Sequence, residues 1–308
     1  MLMRYMVVIT FFFAAFLCDV TFTCAQEMKP SPSVVTKETT PHPSEDIKDV
    51  VLINSYHFGF PWEDQIIKGV QHALSSSPLR IELHVEFLDT SRHTVQEMKP
   101  LADFIILEKY KDPQHRPDVI IVADDNGLRY VIEDKMYEYV PVVFVGINSL
   151  KQADQARQLG MTGVIETVEF RKTLELILSV HPSVEKIIPI VGDAMTGFLH
   201  LESLKNAFRT LDTDVVLEEL NEWSFVSLAD QLRTYDPTKT ALIQLSFHKD
   251  FEGNLSPSID KYRFFSQFNI PAYTLWRSHG IGGGMLGGYV SDGFTHGVLA
   301  AQKALSIL

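Results

Sequence analysis

The sequence predicts an α/β protein: two doubly wound parallel-sheet lobes joined by hinge strands. Short continuous apolar runs such as "VVLIN", "DVIIVAD" and "VPVVFVGIN" alternate with stretches of helical periodicity from Val50 onward. Strands apolar on both faces belong to a sheet covered on both sides by helices, which is the parallel arrangement. The alternation restarts after Thr162 and runs through a second set, which fits two similar lobes better than one very wide sheet. At 308 residues, 45% hydrophobic and 21% charged, the chain can bury a core of that size.

Each element has its own signal. The first apolar strand runs into Asn54-Ser55-Tyr56-His57, and a helix follows from about Pro61. Proline suits a first helical turn, and Ile66, Ile67, Val70, Ala73 and Leu74 share one face. "IELHVEFLD" alternates as a half-buried strand does, and a helix is expected from about Pro100 through Leu101, Phe104, Ile105 and Leu107. The strand "DVIIVAD", a short helix in "GLRYVIEDKM" and the strand "VPVVFVGIN" complete the first set. In the second, "TGVIET" is extended and "FRKTLELILSV" is a helix with Phe170, Leu174, Ile177 and Leu178 on its apolar face. "KIIPIVGD", "DVVLEEL", "ALIQLSFH" and "PAYTLW" read as strands, with helices around 198–209, 224–234 and 257–268. "GGGMLGGYV" leads into a last helix in "DGFTHGVLAAQKALSIL". The expected division is lobe 1 over 50–162, completed by about 285–308, and lobe 2 over 163–284. The crossings fall near Thr162–Glu166 and Gly282–Gly288.

The start of the chain has a different character. Arg4 precedes an apolar run over residues 6–18 that closes at Asp19. That is shorter than the about 20 apolar residues of a membrane span and fits the core of a secretory signal over 1–25, cleaved after Ala25. Lipidation at Cys24 and an uncleaved anchor are the alternatives. Residues 26–49, rich in Pro, Ser, Thr and charge, read as a disordered tether. Both cysteines, Cys18 and Cys24, lie in the signal segment, so the exported chain would rest on its core without disulfides. The expected location is the periplasm or the exterior, free or membrane-tethered. A net charge of -12 with no Lys/Arg run argues against a nucleic-acid partner.

Ligands of open parallel sheets bind beyond the carboxyl ends of the strands. In the first lobe those ends carry Ser55, Tyr56 and His57 with Trp62 just beyond, then Asp124, Asp125 and Asn126, then Asn148. In the second they carry Asp193 and Thr196, Ser246 and Phe247, and Trp276. Polar groups that fix orientation and rings that supply area are what gripping a small polar molecule requires. Asp, Asn and Ser at such places also cap helices, and Asp292 is read as a cap of the last helix. Trp276→Ala is expected to weaken binding with little loss of fold. Arg129 and Arg277 are the residues available to hold a ligand carboxylate.

Catalytic and metal chemistry find little support. His57, His248 and His279 fall in expected loops, but their spacing is not that of a zinc site. Asp124 and Asp125 point apart as neighbours, whereas a catalytic pair needs facing groups. "GGGMLGG" lacks the Lys-Ser/Thr of a phosphate loop, and the exported chain has neither a GxSxG motif nor a cysteine nucleophile. No enzyme activity, metal or cofactor is expected.

The ordered series "LINSYHFGFPWEDQIIKG", "VEFLDTSRH", "PDVIIVADDNGLRY", "VPVVFVGIN", "TGVIE", "TLELILSVHP", "GDAMTG" and "GGYVSDGFTHGVLAAQKAL" resembles the ABC-transporter substrate-binding protein family of the type I periplasmic-binding fold. Extracytoplasmic sensor domains with an LNSYHxGxPW signature belong to the same group. The resemblance runs from about residue 49 to the end. It implies two lobes closing on a small molecule without catalysis, and a further strand and return segment after the last helix. The function it implies is solute capture for ABC-type uptake, with a membrane permease complex as partner. The alternative is the ligand-sensing input of a histidine kinase or diguanylate cyclase type of receptor, whose output module would then be the partner.

Overall fold

The computed structural model describes residues 47–192, 195–246, 249–254 and 263–308. The expected signal segment and the tether up to residue 46 lie outside the described residues. Nine strands are described: β1 (Lys48–Asn54), β2 (Ile81–Phe87), β3 (Val119–Ala123), β4 (Val142–Ile147), β5 (Thr162–Ile165), β6 (Lys186–Ile190), β7 (Val216–Leu217), β8 (Thr240–Gln244) and β9 (Ala272–Thr274). The described helices are α1 (Pro61–Ser75), α2 (Val95–Ala102), α3 (Glu108–Tyr110), α4 (Asp124–Glu133), α5 (Leu150–Gln158), α6 (Phe170–Val180), α7 (Met195–Phe208), α8 (Phe225–Leu232), α9 (Arg263–Ser266) and α10 (Gly293–Leu305).

The strands form two separate parallel sheets, as expected, in the orders β2-β1-β3-β4-β5 and β7-β6-β8-β9. In the first sheet, β3 and β4 are buried along their whole length, whereas the alternating β2 lies at the edge and is only partly buried. Successive side chains of a strand point to opposite faces. Val50 and Leu52 of β1 therefore pack with Ile66 and Val70 of α1 and with Ala300 and Ala304 of α10. Val51 and Ile53 pack on the other side with Leu128 and Val131 of α4 and Ala153 and Ala156 of α5. In the second sheet, Ile188, Ile190 and Leu242 meet Trp223, Leu228 and Phe265.

The last helix belongs with the first. At the crossing of α1 and α10, a Cβ on Gly297 would lie 2.2 Å from the Ile66 carbonyl oxygen, and one on Gly69 2.1 Å from that of Phe294. Glycine at both positions lets the backbones touch. Before α10 the chain runs beside β9, through the bridges Tyr273–Gly287 and Trp276–Ser291.

Four elements differ from the sequence expectation. Strand β5, read with the second set, is the edge strand of the first sheet beside β4. The helix expected from about Pro100 opens at Val95, because Thr94 and Glu97 form a reciprocal capping box. Pro100 then sits inside α2, and a π-helical turn over Asp103–Leu107 leads into α3. Helix α5 was not foreseen: its mean composition is polar, and only Ala153 and Ala156 are buried. In "DVVLEEL" only Val216 and Leu217 pair with the sheet. Among the described residues no helix is long and apolar enough to cross a membrane.

Candidate functional site

Residues just beyond the carboxyl ends of strands from both sheets surround a cavity of about 40 Å³. The first-sheet side begins with Tyr56 and Phe60, whose rings lie 4.5 Å apart. Beside them Trp62 Nε1 donates to Asp124 Oδ1 at 3.2 Å. Asp124 opens α4 with φ of 63°, a left-handed conformation that Asp tolerates better than most residues. Gly146, also at positive φ where the β4–β5 register shifts, keeps space for this pair: a Cβ there would lie 3.3 Å from Asp124 Oδ1. Glu63, fully buried in the first turn of α1, accepts the Tyr56 N–H at 3.1 Å.

The second-sheet side is built around a stack of rings. Trp276 lies 4.9 Å from His200 and 4.9 Å from His279, centroid to centroid. His200 Nδ1 bonds Ser246 Oγ at 3.1 Å. His279 Nδ1 bonds Gln244 Oε1 at 3.0 Å, and Thr274 Oγ1 donates to the same oxygen at 3.1 Å. Bonds also span the cleft: Trp276 Nε1 donates to Glu166 Oε1, and His200 Nε2 meets Asn148 Oδ1 at 3.4 Å.

The electrostatics of the cleft are acidic. Burial pushes Glu63 up to about 7, against bonds from Asp124 and the backbone of Tyr56 and Ser55 that favour the ionised form. Burial likewise raises Glu166 to about 7, opposed by its bonds from Trp276, Asn148 and Ser291. Asp124 is held well above the carboxylate range by burial and then by the charges of Glu63 and Glu166. Glu63 Oε2 and Asp124 Oδ2 are buried without a hydrogen-bond donor, so a proton retained on one carboxyl and shared with the other is the bond available to them. Burial alone lowers His200 to about 4.

Of the residues expected at the site, Tyr56, Trp62, Asp124, Asn148, Thr196, Ser246 and Trp276 come together at this cavity. The other described residues of that set lie elsewhere. Ser55 stitches β1 to β3 and α4: its hydroxyl donates to the Ala123 carbonyl at 2.7 Å and accepts the Gly127 N–H at 2.7 Å. His57 bonds Ser91 at 2.7 Å, Asn126 donates to Thr90 Oγ1 at 3.0 Å, and Asp125 accepts the Ser149 N–H at 3.2 Å. Asp193, Phe247 and His248 lie outside the described residues. Arg129 borders a separate depression with Glu133 and Lys151, and Arg277 is surface-exposed, 3.7 Å from Asp292. Asp292 occupies the N-cap of α10, with its carboxylate accepting the Thr295 hydroxyl at 2.9 Å.

Phe60, Glu166 and His200 line the cavity without having been singled out as contacts, and His279 was weighed only as a metal ligand. Glu166 directly follows β5, so the strand-end rule would have found it had "TGVIE" been read as more than a crossing. His200 lies inside α7, a helix with no distinctive motif, and carries no comparable sequence signal.

No protein-family model matches the sequence, and no curated protein does. Solved structures do. The chain is similar to a conserved domain protein from Vibrio cholerae, at 15% identity and a TM-score of 0.58 over 84% of each chain. It is similar to an ABC domain from Streptococcus pneumoniae in complex with L-Trp, at 15% identity and a TM-score of 0.55, again over 84% of each. A carbohydrate transporter from Acidothermus cellulolyticus in complex with myo-inositol matches at 15% identity and a TM-score of 0.53, covering 85% of this chain and 87% of that one. At these identities the likeness establishes the fold. The chain adopts the two-lobe α/β architecture of type I periplasmic binding proteins.

Proposed function

We propose that the protein is an extracytoplasmic solute-binding protein that captures a small polar molecule between its lobes and presents it to a membrane permease. The carrying observation is the convergence of Tyr56, Trp62, Asp124 and Asn148 with Ser246 and Trp276 on one cavity from two sheets. A ligand that touches both lobes favours their closed arrangement by its differential affinity for it. The cavity as it stands holds a few waters at most. A solute the size of an amino acid or sugar therefore enters when the Trp276–Glu166 and His200–Asn148 contacts part. The solved structures in complex with L-Trp and with myo-inositol support the reading by analogy of fold.

The chain Ser246–His200–Asn148 has the outline of a nucleophile, a base and an orienting group. Held near 4 by burial, however, His200 is a weak base at neutral pH, where general-base catalysis works best with a matched pKa. Binding without catalysis is the better reading. A thermal-shift screen of the protein against sugars, amino acids, nucleosides and amines tests it. A ligand at 100 times its Kd adds about 2.7 kcal/mol of stability, and small-angle scattering should then show a smaller radius of gyration. A cooperative melt unmoved by every class would count against solute binding.

A further inference from the structure

The acid–aromatic lining narrows the ligand class, an inference that rests on the solute-binding reading. We infer that the ligand is a small organic cation, an amine or quaternary ammonium with no carboxylate of its own. Asp124 and Glu166 line the cavity, Asp124 is 4% exposed, and its Oδ2 has no donor beyond a proton shared with Glu63. Glu63, wholly buried on α1, also has an oxygen without a donor. Among the described residues no lysine or arginine lines the cavity to offset this charge.

Three buried acids without a cation are costly while ionised, and protonation is the relief open to them in the absence of a ligand. An ammonium group supplies both the missing positive charge and N–H donors for the orphan oxygens. The rings of Tyr56, Phe60, Trp62 and Trp276 line the cavity, and an aromatic face attracts the same cation. A zwitterionic amino acid would set its carboxylate against these acids with no cationic clamp. A neutral polyol would donate hydroxyls yet leave the charge uncompensated.

Binding a cation here displaces protons. The titratable groups around the three acids are Tyr56, Asp64 and Asp125, with His200 and His279 on the facing wall and His296 against Trp62. None of them is a permanent cation, so affinity should rise with pH as the acids ionise and level off above the range near 7 where Glu63 and Glu166 titrate.

The test is titration calorimetry of the protein with matched probes: tryptamine, phenethylamine and choline against L-Trp and myo-inositol. Tryptamine and L-Trp differ only in the carboxylate. An amine should bind at least about tenfold tighter than L-Trp, the ratio expected for one charge-assisted bond. It should also release protons on binding, read from the dependence of the heat on buffer ionisation. Asp124→Asn keeps a residue that accepts positive φ and should weaken amine binding about tenfold with the melt still cooperative. L-Trp or myo-inositol binding as tightly as any amine overturns the cation inference and leaves solute binding standing. Unaltered amine affinity in Asp124→Asn also overturns it. Silence towards all five probes from a cooperatively folded protein counts against both readings.

Discussion

Asp124 combines a left-handed backbone, near-complete burial and an oxygen without a donor. Strain of this kind persists where the surroundings impose it and is frequent at functional sites. Its neighbours Glu63 and Glu166 make the site pH-sensitive. Both have folded pKa values raised from 4.5 to about 7, so across that window the native state binds more protons than the unfolded chain. Stability is then lost as pH rises from 4.5 through about 7. His200 and His296, with lowered values, act in the opposite sense as the unfolded chain takes up protons below 6.5. Glu166→Gln isolates the acid contribution: the difference in Tm between wild type and variant should shift in favour of the variant as pH rises from 5 to 8. A constant difference would show that Glu166 does not titrate there.

At Trp276 the structure revises a sequence expectation. The ring is 4% exposed, donates to Glu166 and sits in the main core cluster. Trp276→Ala should therefore cost about 3–5 kcal/mol of stability as well as ligand affinity, readable in a urea melt. Trp276→Phe is the sharper probe, since it keeps a ring but removes one of the three side-chain bonds to Glu166, at about 1 kcal/mol.

Elements are held by features that periodicity does not report. The α1–α10 crossing depends on Gly69 and Gly297, where a Cβ would lie 2.1 and 2.2 Å from backbone carbonyl oxygens, well inside van der Waals contact. Gly297→Val should destabilise by about 1–3 kcal/mol or more, as overpacking does, measured by chemical denaturation. Gly160→Ala, with no atom near its would-be Cβ, is the control for a purely conformational cost. At the start of α2, Thr94→Ala removes the hydroxyl that accepts the Glu97 N–H, leaves the backbone N–H that donates to the Glu97 carboxylate, and should cost about 1 kcal/mol. That cap also explains why the apolar residues expected to anchor this helix do not. With the register set at Thr94, Ala102, Ile106 and Tyr110 turn inward, while Phe104 is left 75% exposed.

Across the whole molecule, the two sheets have separate ladders, and a small set of contacts joins their carboxyl ends across the cavity. Opening the cavity requires Trp276–Glu166 and His200–Asn148 to part, and neither contact belongs to a strand ladder. Asn148→Ala removes one of these contacts and should favour an opener form. Its radius of gyration without ligand should rise, and it should shrink back to the wild-type closed value when ligand is added.

The sequence alone determined the fold class, the two-lobe count and most strands. Runs such as "VIIVA" and "VVFVGI" are apolar on both faces, and only a sheet covered on both sides can bury them. It also pointed to residues of the candidate cavity, because strand ends are local and Tyr56, Asp124 and Trp276 could be read from them one at a time. Tertiary structure decided which of those ends meet. Ser55 turned inward to bond the backbone, His57 turned to Ser91, Glu166 entered from a stretch read only as a crossing, and His200 from a helix with no motif. Burial and the proximity of acids distant in sequence decided the charge state of the cleft, and neither is a property of any single stretch of chain.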